Sequence, residues 1–279
     1  MAGQRKTILI TGCSSGIGYD AAHGLSSHGW RVLATCRKPA DCARLEAEGL
    51  ESFPLDYSDE DSIATAVDET LSRTGGTLDA VFNNGAFGIP GLLEDMPRDA
   101  LRSIFETNFF GQHDLTRRLI PTFRAQGRGR ILMNSSILGF AALAWRGAYN
   151  STKFAMEGWA DTLRLEMRGT GIHVILIEPG PITSEIRRKS IPHFERWIDP
   201  SASARAADYE RRLKPRLYNA GKTPDRFELP ARAVTDAVEA ALVAAKPRAR
   251  YRITTPTKLA ALGKRLLPTS LTDAILSRA

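Results

Sequence analysis

The chain has 279 residues, 43% hydrophobic and 25% charged, a size and balance that suit one large α/β domain carrying its own core and at most a lid. No apolar run approaches the ~20 residues that cross a bilayer, Met1 to Lys6 leaves no room for a signal peptide before the first strand, and three cysteines near the start (Cys13, Cys36, Cys42) make no disulfide framework, so a cytoplasmic protein with reduced thiols is expected. The net charge of +7 invites a nucleic-acid reading, but no zinc-finger, RNA-recognition or helix-turn-helix signature accompanies it, and the five scattered histidines offer no metal-ligand spacing.

Thr7 to Thr11 reads Thr-Ile-Leu-Ile-Thr, a β-branched run that fits a buried parallel strand. The turn Gly12-Cys13-Ser14-Ser15-Gly16-Ile17-Gly18 follows, and Asp20 to His28 reads as a helix ended by Gly29. Strand, glycine turn and helix in that order are the setting of a dinucleotide-binding loop. Gly12 permits the tight turn, Gly16 lets the backbone approach a pyrophosphate, and Gly18 lets the helix pack on the strand. Amides at the helix N-terminus then face the phosphates. Arg31 to Cys36 is the second strand. Arg37 and Lys38 stand at its end, where an acid usually binds the ribose of NAD; two cations suit the 2′-phosphate of NADP instead.

Glu51 to Asp56 is the third strand. Ser58 and Asp61 predict a capping box that opens a helix over Glu60 to Arg73, closed by Gly75-Gly76. Leu78 to Phe82 is the fourth strand and runs into Asn83-Asn84-Gly85-Ala86, residue types of an irregular turn. One helix is predicted over residues 98–121, with Leu101, Phe105 and Phe109 at helical spacing and Asn108 among them. An amide there needs partners if buried. Arg130 to Met133 is the fifth strand, followed by Asn134-Ser135-Ser136. The next helix carries Tyr149 and Lys153, with Met156, Trp159, Leu163 and Met167 as its packing face. His173 to Ile177 is the sixth strand and runs on to Thr183. Six strands alternating with helices imply a Rossmann-like, doubly wound parallel sheet, which binds ligands at the carboxyl ends of its strands. Every motif quoted lies at those ends.

Tyr149 and Lys153 stack one turn apart on one helix face. A free tyrosine titrates near ~10, and a nearby ammonium favours the phenolate. A fall of ~3 units needs roughly 4 kcal/mol of differential interaction, for which Lys153 and a cofactor's positive charge are the expected sources. Beyond Ser184 the pattern weakens. Residues 187–216 carry a net +5 and residues 246–279 a net +7, which leaves −5 for the rest. With prolines at 192, 200, 215 and 224, residues 186–230 read as a mobile substrate lid. The core is then 1–185, and 231–279 holds a helix, Ala231 to Ala245, and a basic tail of the same domain. Leu259, Leu262 and Leu266 share a helical face beside Lys258, Lys264 and Arg265, a pattern that can lie on an anionic membrane.

In order and approximate spacing, Thr11-Gly12-x3-Gly16-x-Gly18, Asn83-Asn84, Asn108, Ser136, Tyr149-x3-Lys153 and Pro179-Gly180 resemble the short-chain dehydrogenases/reductases. The lid and Pro247-Arg248-Ala249-Arg250-Tyr251 are similar to the branch holding hydroxysteroid and retinol dehydrogenases and bacterial aldehyde reductases. The resemblance implies an NADP(H)-dependent oxidoreductase that interconverts an alcohol and a carbonyl. It makes Tyr149 the general acid/base and gives Lys153 the nicotinamide ribose. Ser136, thirteen residues before Tyr149, holds the substrate oxygen. Asn108 holds a water in a relay to Lys153, Asp56 contacts the adenine and Asn83 lies along the adenosine ribose. Pro179, Gly180, Ile182 and Thr183 line the nicotinamide, and Gly12, Ser14, Ser15, Gly16, Ile17 and Gly18 hold the phosphates. A homo-oligomer through helices near 101–121 and 149–169 is also implied. Phe87, Ile137, Leu138, Phe140 and Leu143 point to a lipophilic substrate. A non-catalytic NADP-binding, redox-sensing module is the competing reading, and it has no need of Asn108, Ser136, Tyr149 and Lys153 together. Where the family reads Asn-Asn-Ala-Gly, this chain has Gly85-Ala86, and the Cβ of Ala86 is expected to strain the turn or crowd the cofactor.

Overall fold

Seven parallel strands frame the computed structural model, which describes residues 5–219 and 225–277, so that Pro224 lies outside the described residues. They are β1 (Thr7–Thr11), β2 (Arg31–Cys36), β3 (Glu51–Pro54), β4 (Ala80–Asn83), β5 (Gly129–Asn134), β6 (Ile172–Glu178) and β7 (Arg250–Arg252), in the spatial order β3-β2-β1-β4-β5-β6-β7. The order reverses beside β1, because β2 lies on one side of it and β4 on the other. Such a switch point opens a crevice at the carboxyl ends of the strands. The register brings Thr11, Asn83 and Asn134 to that edge, Asn83 opposite Met133 and Asn134 opposite Ile177.

Alternation along the strands feeds two cores. Ile8 and Ile10 face α1 (Gly16–Ser27) and, from far along the chain, Val234, Val238 and Ala241. Leu9 faces the other side, with Ile63 and Val67 of α3 (Glu60–Thr74), Leu119 and Met156. Both faces are covered, which is why the strands read as near-continuous apolar runs.

Three sequence expectations need correction, and one helix is new. The first helix begins at Gly16, four residues before the predicted start, so Gly16 and Gly18 form its first turn. A short helix, α2 (Pro39–Ala47), occupies the connection between β2 and β3 with proline in its first turn. Asp59, not Ser58, caps α3: its carboxylate accepts from the backbone N–H of Asp61 at 3.0 Å and of Ser62 at 3.3 Å, while the Ser58 hydroxyl turns back to Asp56. The helix predicted over 98–121 is broken into α4 (Arg98–Phe105), a π-helical turn over Glu106–Phe110, and α5 (Gly111–Gln126). Single π turns recur at functional sites, and this one carries Asn108.

Past α6 (Gly147–Glu166) and β6, the lid region forms α7 (Ile186–Lys189), α8 (Ile191–Trp197), α9 (Ala206–Asp208), a second π turn and α10 (Lys214–Tyr218). It has a core of its own. Phe194, Ile198, Leu213 and Leu217 pack with Ile89, Leu92 and Ile104 around Tyr209, which is 0% exposed. The Tyr209 hydroxyl donates to Asp95 at 2.7 Å and accepts from the Leu92 N–H at 3.0 Å. The region is therefore anchored from α8 onward, and α7 is the part that precedes this anchor. The chain then returns to the sheet. The helix α11 (Arg232–Val243) packs on α1, and Arg130 donates to the last carbonyls of α11, at 2.7 Å to Ala244, as a cation does at a helix C-terminus. β7 follows as a seventh strand absent from the sequence reading: it has three residues, Arg-Tyr-Arg, and only Tyr251 is buried. Last come α12 (Thr255–Leu266) and α13 (Thr269–Leu276).

Candidate active site

The crevice is held together by amides. The Thr11 hydroxyl accepts from the backbone N–H of Asn84 at 2.9 Å and of Gly85 at 3.1 Å, and the Asn84 side chain donates to the Thr11 carbonyl at 2.9 Å. Asn134 donates to the Asn84 side chain at 2.8 Å, and the Asn134 carbonyl accepts from the Lys153 ammonium at 2.6 Å. Three strand ends are thus clasped from the glycine turn to Lys153. The sequence reading missed this clasp, although Asn-Asn and a further Asn at strand ends were its signal.

The glycine turn is shaped by contact. Gly12 has φ +69° and Gly16 φ +59°, the left-handed region where glycine carries no Cβ penalty. A Cβ at Gly12 would lie 2.6 Å from the Gly85 Cα, and one at Gly18 would lie 2.4 Å from the Gly12 carbonyl oxygen. At Gly85 a Cβ would meet the edge of the Tyr57 ring at 3.1 Å, so the close approach here is fixed by Gly12 and Gly18. Ala86 has no left-handed backbone, so the strain expected there is not found. The Ser15 hydroxyl does not cap α1, and no acid stands in its first turn. Backbone N–H groups of that turn suit a phosphate. A residue the sequence reading overlooked closes the loop from above: Lys189 of α7 donates to the Ser15 hydroxyl at 2.6 Å and to the Ser14 hydroxyl at 3.2 Å. Arg37 and Lys38 are exposed at the end of β2, on the approach to α2. Glycines that leave room for a pyrophosphate, an uncapped helix start and three cations fit a phosphorylated dinucleotide.

Two amides have duties other than those expected. The Asn83 side chain is 0% exposed, accepts from the Tyr57 hydroxyl at 2.7 Å and donates to Thr116 at 3.0 Å. It is committed to the interior and has nothing left for a ribose. Asn108 in the π turn accepts from the Phe87 N–H at 3.0 Å and donates to the Phe87 carbonyl at 2.9 Å and to Thr152 at 3.3 Å. Its amide ties the β4 turn to α6, so only its backbone carbonyl is left for a water relay. Asp56 accepts from Ser58, with its carboxylate partly exposed beside β3. Pro179 to Thr183 are pinned in turn. The Pro179 carbonyl accepts from the Ile137 N–H at 2.7 Å, Gly180 abuts Thr254 and Thr257, Ile182 bridges Leu229, and the Thr183 hydroxyl donates to Glu228 at 2.7 Å.

Ser136, Tyr149 and Lys153 converge. Ser136 opens a 3-10 turn, Ile137–Gly139, where its hydroxyl accepts from the Leu138 N–H at 3.1 Å and favours the ionised form of the Tyr149 phenol. Ser135 faces away and donates to the buried carboxylate of Glu157. The Lys153 ammonium sits 5.5 Å from the Tyr149 ring centre. Burial dominates the electrostatics of the pair. It holds Tyr149 above the ordinary phenol range, against the opposing pull of the Ser136 bond and of the Arg146 charge. It pushes Lys153 down to about 7, with Glu157 opposing. The fall expected for Tyr149 from Lys153 is not found, because the desolvation that raises an acid here outweighs the Arg146 cation and the Ser136 hydroxyl. The wall beside the site comes from partly buried Phe87, Ile137, Leu138 and Phe140, and Phe87 stacks on His193 of the lid with ring centres 4.1 Å apart.

A doubly wound sheet with a glycine cradle at its switch point and a serine, tyrosine and lysine clustered at its carboxyl edge defines a dinucleotide-binding oxidoreductase. The sequence family described as short chain dehydrogenase matches residues 6–194. The uncharacterized oxidoreductase YbbO of Escherichia coli K12 is 39% identical over 272 residues, spanning 98% of this chain and 94% of that protein. Retinol dehydrogenase 16 of Mus musculus is 33% identical over 282 residues, spanning 98% and 88%. The crystal structure of a short-chain dehydrogenase from Streptomyces avermitilis matches with a TM-score of 0.77 at 26% identity, covering 99% of this chain and 96% of that one. The chain belongs to the short-chain dehydrogenase family.

Proposed function

We propose that the protein is an NADP-dependent oxidoreductase, cytoplasmic and homo-oligomeric, that interconverts a lipophilic alcohol and its aldehyde or ketone. The convergence of Ser136 and Lys153 on the half-buried Tyr149 phenol carries this reading. Gly12, Gly16, Ile17 and Gly18 would receive the pyrophosphate, and Arg37, Lys38 and Lys189 would receive the phosphate charge. A bound nicotinamide supplies the hydride for reduction and takes it for oxidation. The chain supplies the proton. A phenol held above its ordinary range keeps its proton at neutral pH, so the ligand-free site is set for donation to a carbonyl oxygen. Ser136 orients that oxygen, and the protonated form of Lys153 stabilises the phenolate left behind. The apolar wall excludes water and favours a lipophilic body.

The test is a panel of aliphatic and aromatic aldehydes, retinoids and steroid ketones, followed by loss of NADPH absorbance. Tyr149→Phe is expected to lower turnover by roughly 10²–10⁴-fold while NADPH still binds, because the ring stays and the proton is lost. Undiminished turnover in that variant would overturn the mechanism.

A further inference from the structure

The site holds a cation that the proton chemistry above does not use. Arg146 lies three residues before Tyr149, partly buried, and among the described residues no hydrogen bond or ion pair reaches its guanidinium. Every other partly buried arginine among the described residues is satisfied. Arg31, Arg73, Arg118, Arg164, Arg187 and the β7 arginines have carboxylates, and Arg130 has helix carbonyls. The surroundings make the exception sharper. The charged groups that act on Arg146 are the guanidiniums of Arg187 and Arg216, the Asp225 carboxylate and the Tyr149 phenol. Arg187 and Arg216 share that one carboxylate, with Arg216 at 3.5 Å. Three guanidiniums therefore gather around Asp225 beside the catalytic tyrosine, with Glu228 spent on the Asp225 N–H and the Thr183 hydroxyl.

The backbone leading to Arg146 is also unusual. Trp145 has φ +66°, a left-handed conformation that is strained for a bulky residue. It is held there by an edge-on contact of its indole with Tyr209, ring centres 5.0 Å apart, and by the Gly91 N–H, which donates to its carbonyl at 3.0 Å. The kink sets the direction in which Arg146 enters α6. A partly desolvated cation without a counter-charge is costly, and such groups gather where a ligand completes them.

We propose that Arg146 receives an oxyanion of the substrate itself, so that the natural substrate is an amphiphilic oxo acid, with its carbonyl at Tyr149, its acid group on Arg146 and its apolar body against Phe87 and Leu138. The planar fork of the guanidinium matches a carboxylate with two parallel hydrogen bonds. The proposal rests on the reading of Tyr149 as acting on a carbonyl.

The experiment compares 4-carboxybenzaldehyde and 9-oxononanoate with their methyl esters, which keep the carbonyl and the size but not the charge. In the unmutated enzyme with NADPH, kcat/KM for each acid is expected to exceed that for its ester by tenfold or more. Arg146→Ala should lower the acids by tenfold to a hundredfold, mostly through KM, and the esters by less than threefold. Arg146→Lys should restore part of the preference, and added salt should erode it. Binding of 4-(hydroxymethyl)benzoate, followed by the fluorescence of neighbouring Trp145, should weaken in Arg146→Ala whether or not turnover is measured, with circular dichroism reporting the fold. Equal use of acid and ester by the unmutated enzyme would overturn the proposal, as would an Arg146→Ala variant that lowers both alike. In either case the carbonyl chemistry would stand, whereas no oxidation of NADPH by any acid or ester would defeat the parent reading.

Discussion

Lys153 is 1% exposed, its ammonium rests on the Asn134 carbonyl, and burial takes its pKa from an ordinary 10.5 down to about 7. The consequence for stability has a definite sign. Between about pH 7 and 10 the unfolded chain keeps a proton on this lysine that the folded protein has released. Stability therefore rises with pH across that window, relieving a penalty fully present below pH 7. The ligand-free protein should gain in Tm between pH 7 and 8.5, and Lys153→Met should gain less, because a methionine has no proton to exclude. Identical pH dependence in the two proteins would show that the folded lysine stays charged. That Ser136, Tyr149 and Lys153 lie together was legible in the sequence because they sit at fixed spacing along one helix and one turn. Asn83 and Asn108 were legible as positions but not as roles. Whether an amide side chain is spent on Tyr57, Thr116 or Phe87 depends on residues far along the chain. Arg146 gave no sequence signal at all, since what marks it is the absence of a partner.

Among the elements, the strands and most helices were legible because burial on both sheet faces writes apolar runs of strand and helix length. What escaped was irregular or short. The π turn over Glu106–Phe110 sits inside an unbroken helical pattern, and β7 has one buried residue. The lid was legible only as a loss of pattern, so its grip on the glycine turn through Lys189 was invisible. That grip bears on cofactor choice. The 2′-phosphate of NADP carries close to two charges more than the ribose hydroxyl of NAD, and charge-assisted hydrogen bonds contribute about 1.5–3 kcal/mol, roughly tenfold to a hundredfold in affinity. At an exposed site the lower half of that range applies. Arg37→Ala is expected to weaken NADPH binding about tenfold, with little effect on NADH. Lys189→Met should weaken NADPH binding as well, from the lid side, without any change at β2. Titration of nicotinamide fluorescence measures both, and raised salt should weaken NADPH more than NADH. If the unmutated protein binds the two cofactors equally, Arg37 and Lys38 are ordinary surface cations.

Over the whole molecule, the basic C-terminal third divides into charge that is spent and charge that is not. Arg250 and Arg252 reach inward to Glu157, Asp161 and the fully buried Glu178, and Arg187, Arg205, Arg211, Lys214 and Arg216 pair with acids of residues 186–230. Unpaired charge beside exposed apolar surface lies on α12, where Lys258, Lys264 and Arg265 flank Leu259, Leu262 and Leu266, which are 63%, 56% and 70% exposed. Leu271 and Ile275 of α13 extend the apolar face. The inner side of α12, with Thr257 and Ala261, is buried, so the leucines face outward without destabilising their own helix. No helix among the described residues is long and apolar enough to cross a membrane, which leaves an interfacial contact as the way this face could meet lipid. The balance of forces can be stated in advance. Burying a leucine contributes about 1.5–3 kcal/mol, and a cation near an anionic surface about 1 kcal/mol. The apolar part should therefore outweigh the charge. Co-sedimentation with phosphatidylserine vesicles is expected at low salt, weakened but not abolished at high salt, and lost when Leu259, Leu262 and Leu266 are all replaced by serine. If the unmutated protein stays in solution at low salt, the membrane reading falls. Should the same triple replacement instead turn an oligomer into a monomer, the apolar face belongs to a second copy of the chain.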